Sequence, residues 1–277
     1  MTRIRMACSL TLLLFTIMAV SGQDSPAPQS DTPAAKKKKT AGRKPPPAMQ
    51  PPEVQPGLPN VLLIGDSISI GYTVAVREEL SNEANVWRPK TNCGPTTKGV
   101  AAIDQWIGDR KWDVIHWNHG LHDLKYMGPN NENLADPAVA SSHQQVPPDD
   151  YAKNLKTIAE RLKKTGATII FCETTPVPNG AKGRVVGDSK KYNAIAEKVM
   201  GSVTGIVINP LYQFAVENIK NLPANVHYSK EGSQKLGTQV ASVIRQHLDQ
   251  PKTEAKEAIL RKDQRPRKVL LPAPLPQ

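Results

Sequence analysis

Residues 58–250 alternate short apolar runs with longer amphipathic stretches, and that rhythm restricts the possible folds more than any other feature of the chain. Val61-Leu62-Leu63-Ile64 is apolar throughout and stops at Gly65, the pattern of a strand buried on both faces. Comparable runs predict strands over 85–87, 112–117, 167–172 and 205–208. Helical spacing predicts helices over 69–80, 97–107, 149–164, 190–200 and 232–247. In the third of these, Tyr151, Leu155, Ile158, Ala159 and Leu162 fall on one face, and Asp149-Asp150 stand where a helix dipole favours negative charge. Such alternation means parallel strands with helices on both faces, an α/β fold. No repeat of 20–50 residues is visible. In open parallel sheets ligands bind beyond the carboxyl ends of the strands. Chemistry is therefore expected in 65–71, 92–99, 118–125, 173–178 and the loop before the last helix.

The flanks have a different character. Arg3 and Arg5 precede an apolar run over about 10–20, then Ser21-Gly22, the order of a secretory signal peptide. The run is shorter than the roughly 20 residues a membrane span needs, so residues 1–22 are expected to be removed, Cys8 with them. Residues 23–57 are rich in Pro, Ala, Ser and Lys and have little to bury, as expected of a disordered linker. The basic, Pro-containing tail over 251–277 is similar. Of the formal net charge of +11, only +2 belongs to residues 58–250, so the basic character is that of the ends. The lysines at 36–39 suit electrostatic contact with an anionic surface or a purely solubilising role. An exported chain whose core carries no basic motif is not expected to bind nucleic acid. Two cysteines remain after signal removal, Cys93 and Cys172, and both are expected to be free thiols.

Two of the strand-end segments carry candidate chemistry. Gly65-Asp66-Ser67-Ile68-Ser69 puts a serine between a buried strand and a helix, where backbone amides and the helix dipole favour developing negative charge. Taken alone, the same serine would also serve as a helix cap. Val226-His227-Tyr228-Ser229-Lys230-Glu231-Gly232 puts a histidine just before the last helix, which Ser229 would cap. Serine needs a base to become a nucleophile, and imidazole titrates in the useful range.

These segments resemble the SGNH, or GDSL-type, serine hydrolase family, whose serine, glycine, asparagine and histidine lie in four separated blocks. Gly65-Asp66-Ser67-Ile68-Ser69 matches the first block, Asn92-Cys93-Gly94-Pro95-Thr96-Thr97 resembles the second, and the segment around His227 resembles the last. The resemblance covers 58–250. It implies a three-layer α/β/α sandwich, flavodoxin-like, with five parallel strands in the order 2-1-3-4-5. It also implies ester hydrolysis without a cofactor, with Ser67 as nucleophile, His227 as base, and backbone N–H groups of Ser67 and Gly94 in the oxyanion hole.

The chain departs from the family at two positions. The third block, normally Gly-x-Asn-Asp, reads Gly120-Leu121-His122-Asp123. A neutral imidazole donates one N–H, so His122 is expected in the oxyanion hole, with Asn118 nearby as another donor. The aspartate expected three residues before the histidine is Ala224, followed by Asn225, which leaves a Ser67–His227 dyad.

His116, His119 and His122 recur every third residue, but a strand turns residues three apart to opposite faces, so no metal site is expected. Thr174-Thr175-Pro176-Val177-Pro178, the stretch 179–187 and the long loop 127–148 are candidates for shaping a substrate groove or a lid. Trp87, Trp106, Trp112 and Trp117 fall in or beside predicted elements and are expected in the core. The expected activity is hydrolysis of a small-acyl ester, such as acetate on a carbohydrate. The alternative is a polysaccharide- or surface-binding module on a degenerate hydrolase scaffold.

Overall fold

The computed structural model describes residues 45–218 and 225–248. The predicted signal segment, residues 23–44 of the linker with the lysines at 36–39, Ala224 and the tail over 251–277 lie outside the described residues. A central sheet is formed by β1 (Asn60–Ile64), β2 (Asn85–Trp87), β3 (Val114–Trp117), β6 (Thr168–Cys172) and β7 (Ile206–Asn209). Its order is β2-β1-β3-β6-β7 and every pair is parallel, which is the expected 2-1-3-4-5 arrangement. Val61 to Ile64, Val114, Ile115, Trp117 and Ile169 to Cys172 are buried, because helices cover both faces of the sheet.

One helical layer pairs α1 (Ser67–Glu79) with α6 (Lys230–Leu248). The other runs from α2 (Thr96–Ile107) through α3 (Pro148–Lys163) to α4 (Asp188–Ser202). The result is a three-layer α/β/α sandwich. In α3 the buried residues are Tyr151, Leu155, Ile158, Ala159 and Leu162, the face predicted from their spacing. α1 and α6 approach closely because small residues meet between them. A Cβ on Gly237 would stand 2.4 Å from Ala75 Cβ, and one on Gly71 would stand 3.2 Å from Ser233 Oγ.

Four features differ from the sequence expectation. Helix α1 begins at Ser67, two residues early, because Asp66 caps it: the Asp66 carboxylate accepts from Ile68 N at 2.9 Å. The segment before β1 is docked from residue 45 onward, where composition predicted disordered linker. Pro47–Met49 forms a 3-10 turn with Ala48 buried, and Arg77 donates to the carbonyls of Pro47 and Gln50, each at 3.0 Å. An unanticipated helix, α5 (Leu211–Asn218), follows Pro210; at eight residues it is too short for its periodicity to stand out. The loop over 127–148 is partly ordered into a two-stranded antiparallel sheet of β4 (Tyr126–Met127) and β5 (His143–Gln144).

Cys93 and Cys172 are free and buried, as expected. Burial pushes the Cys93 thiol up to about 11 and the Cys172 thiol well above its usual range, so neither is a thiolate nucleophile. Trp106, Trp112 and Trp117 are buried as expected, and Trp87 is partly so.

Candidate active site

Ser67 stands at the carboxyl end of β1, the strand flanked by β2 and β3. The turn that carries it is tight. A Cβ on Gly65 would lie 2.6 Å from Ser69 Cβ, so only glycine lets strand pass into helix there. Because Asp66 already caps α1, Ser67 is released from capping and its hydroxyl points elsewhere. As the first residue of the helix, it also holds an N–H with no intrahelical acceptor.

The Ser67 hydroxyl meets His227. Ser67 Oγ and His227 Nε2 are 2.9 Å apart across 160 residues of sequence. His227 is exposed and lies in the loop that leads into α6. Ser229 caps that helix, accepting from Gly232 N at 3.1 Å, as its position predicted. Asn225 acts on the backbone: its side-chain Oδ1 accepts from His227 N at 2.7 Å, which fixes the loop and leaves the ring untouched.

The expected oxyanion donors stand differently from one another. Gly94 has φ +63°, a conformation that favours glycine, but its N–H donates to the Asn92 side chain at 2.9 Å. It reaches a substrate only if Asn92 lets go. His122 is half-buried, and neither ring nitrogen makes a hydrogen bond among the described residues. Burial holds its pKa below the usual imidazole value against the pull of Asp66, and Lys125, Arg184 and His227 lower it further. It is therefore neutral near pH 7 and carries one N–H. Asn118, the other nearby donor, is committed to the sheet, giving its amide to Cys172 O at 2.8 Å.

His116, inside β3, and His119, two residues beyond its end, face opposite helical layers. His116 Nε2 lies 3.1 Å from Asn209 Nδ2 with its ring edge-on to Tyr72 of α1. His119 stacks against Trp106 of α2 and accepts from Trp117 Nε1 at 2.6 Å. Burial pushes both down to about 3, so both are neutral. No group of three or more His, Cys, Asp or Glu among the described residues is placed to hold a metal ion.

Three further residues support the site, and the sequence reading gave none of them that role. Arg88 is buried beneath the serine turn and joins two loops, donating to Gly65 O at 3.3 Å, Thr91 O at 3.4 Å, Ser69 Oγ at 3.1 Å and Thr73 Oγ1 at 2.9 Å. Asp123 is buried and caps α2, accepting from Thr96 N at 2.8 Å and Thr96 Oγ1 at 2.6 Å. Burial pushes its carboxyl up to about 7. Arg184, in the stretch 179–187, donates to Leu121 O at 3.2 Å and adds positive charge near His122 and Asp66. The sequence signal for Asp123 was its place as the aspartate of the third block, Gly120-Leu121-His122-Asp123; the two arginines carry none.

The Thr174–Thr175 loop closes the far side. Thr174 N and O are both held by the Asn193 amide at 2.9 Å. Gly120 presses on Thr174, where a Cβ would come within 2.6 Å of the Thr174 Cβ. Ile68, Tyr72, Asn118, Leu121, Thr174 and Thr175 enclose a cavity of about 10 Å³ beside the serine turn, about the room of one water.

No family model matches the chain. No curated protein matches it in sequence. Its fold does match solved structures. The lipase/acylhydrolase from Enterococcus faecalis shares 17% identity over 68% of this chain and 95% of its own, with a TM-score of 0.54. The acetyl xylan esterase AlAXEase shares 15% identity over 67% of this chain and 99% of its own, with a TM-score of 0.53. A catalytic mutant of Axe2, an acetylxylan esterase from Geobacillus stearothermophilus, shares 16% over 66% and 93%, with a TM-score of 0.54. At these identities the likeness is one of fold.

Proposed function

We propose that the chain is an exported serine ester hydrolase of the SGNH type that removes small acyl groups, acetate on carbohydrate among them, with Ser67 as nucleophile and His227 as base. The observation that carries this reading is the 2.9 Å approach of His227 Nε2 to Ser67 Oγ at the carboxyl end of β1. The three-layer fold that the chain shares with solved lipase, acylhydrolase and acetylxylan esterase structures supports it. The signal-like residues 1–22 are the ground for export.

In this reading His227 Nε2 takes the Ser67 proton as Oγ attacks the ester carbonyl. The carbonyl electrons move to oxygen, and that oxyanion is met by the Ser67 N–H and the His122 N–H, with the Gly94 N–H joining once Asn92 releases it. The tetrahedral intermediate collapses, the C–O bond to the alcohol breaks, and protonated His227 gives its proton to the leaving oxygen. Water then attacks the acyl-Ser67 carbonyl with His227 again as base, releasing the acid and restoring Ser67. No carboxylate contacts His227 Nδ1 among the described residues, so the base works with less support than in an acidic triad. The acetylxylan esterases among the solved structures that share the fold are the ground for a small acyl group.

The engaged Gly94 N–H favours a second reading, a binding module on a degenerate site. Hydrolysis of 4-nitrophenyl acetate, butyrate and octanoate separates the two. The enzyme reading expects turnover of acetate that falls steeply with chain length and disappears in Ser67→Ala. Well-folded protein with no turnover of any of the three esters would favour the module.

A further inference from the structure

A groove of about 810 Å³ runs along α2; it reaches Arg88 behind the serine turn but includes neither Ser67 nor His227. Its near end is Lys98, whose ammonium donates to Asn92 O at 2.6 Å, beside Gly94. Its far end is the segment 107–112 just beyond the helix, about 14 Å away at 1.5 Å per residue. Trp87, Trp106 and Trp112 contribute to its wall.

The charged groups of the groove are unequal in sign. Lys90, Lys98 and Arg110 line it against Asp109. Arg88 also borders it, but its N–H groups are given to the carbonyls and hydroxyls under the serine turn. Arg110 is the distinctive one. Its guanidinium carbon lies 3.8 Å from the Trp87 ring centroid and 5.7 Å from that of Trp112. Stacking of this kind holds the planar fork in one orientation. Arg110 has no carboxylate partner among the described residues. A pre-oriented, unpaired guanidinium in a groove is built to receive a planar anion by two parallel hydrogen bonds.

We infer that this groove binds an acidic polysaccharide, a chain of sugar rings bearing carboxylates, with Arg110 clasping one carboxylate and Lys98 and Lys90 meeting others. The signal-like residues 1–22 favour this occupant over a nucleic acid, since an exported chain meets acidic polysaccharides outside the cell. Three cations spread along the groove, with Asp109 among them, match an anion that carries carboxylates at intervals along a chain of rings. Binding here does not involve Ser67, so it holds or fails independently of the hydrolase reading.

Calorimetric titration of the full chain with tetragalacturonate, xylotetraose and a single-stranded oligothymidylate tests it. Tetragalacturonate is expected to bind, more weakly as salt rises, and xylotetraose of equal length at least tenfold less tightly. Arg110→Gln is expected to lose tenfold or more for tetragalacturonate, and Arg110→Lys to lose most of that, since an ammonium lacks the fork. Ser67→Ala should bind as the parent does. Arg110 is exposed, so an unchanged thermal melt is expected to accompany these losses. Equal binding by Arg110→Gln would place the attraction elsewhere, for instance on the lysines at 36–39, and overturn the inference. Equal affinity for xylotetraose, or tighter binding of the oligothymidylate, would overturn it too.

Discussion

His122 occupies the position where the resembled family carries an asparagine, and its environment decides what it can do there. Burial and the nearby cations keep it neutral, so near pH 7 it offers a single N–H. His122→Ala is expected to cost on the order of 3 kcal/mol in barrier, read as kcat on 4-nitrophenyl acetate with little change in KM. His122→Asn should retain most of the parent rate, because the amide supplies the same donor. Asp123, one residue on, titrates in a way that its exposed counterpart would not. With its carboxyl pushed up to about 7, the folded state keeps a proton that the unfolded chain gives up from about pH 4 upward. Stability from this group is thus fully present below about pH 4 and is lost as pH rises through about 7. Asp123→Asn still accepts from Thr96 but cannot ionise, so its denaturant-unfolding stability should decline less between pH 4 and 8 than the parent's. The meeting of Ser67 and His227 could be anticipated because each sits beside a strand or helix boundary. The state of Gly94 could not, since nothing in the spacing shows that the Asn92 side chain turns back onto its N–H.

Elements bring the distant residues together. His227 reaches Ser67 because α6 lies against α1, and it does so through Gly237 on Ala75. Gly237→Val would place a branched side chain where even its Cβ would stand 2.4 Å from Ala75 Cβ, and force the helices apart. A cost of about 1–3 kcal/mol is expected in thermal or denaturant melts. On the proposed function, esterase activity should fall beyond what the loss of folded protein explains, because the loop with His227 leads directly into α6. The five strands and most helices could be read from apolar runs and spacing. Three helix starts moved by two residues, and for α1 the cause is the Asp66 cap. α5 and the β4–β5 pair were invisible because they are short and draw their stability from what they pack on. Tyr126 N, for example, donates to Gly183 O at 2.8 Å across 57 residues.

At the scale of the molecule, the parallel 2-1-3-4-5 sheet was implied by a family resemblance and is what the chain adopts. The boundary before the sheet was misjudged. Proline-rich composition looks like linker, yet Arg77 and Asn85 hold residues 47–58 through backbone carbonyls, which composition cannot reveal. A chain beginning at residue 58 should therefore be less stable than one beginning at residue 45 by about 1–3 kcal/mol, judged by denaturant midpoint, since these hydrogen bonds and the burial of Ala48 are lost.

The central claim, that Ser67 is a nucleophile activated by His227, is tested most directly by mass spectrometry of the full chain after exposure to a fluorophosphonate. The predicted result is a single adduct mapping to the peptide containing Ser67, absent in Ser67→Ala and strongly slowed in His227→Ala. Folded protein that takes up no label, or an adduct that persists in Ser67→Ala, would contradict it.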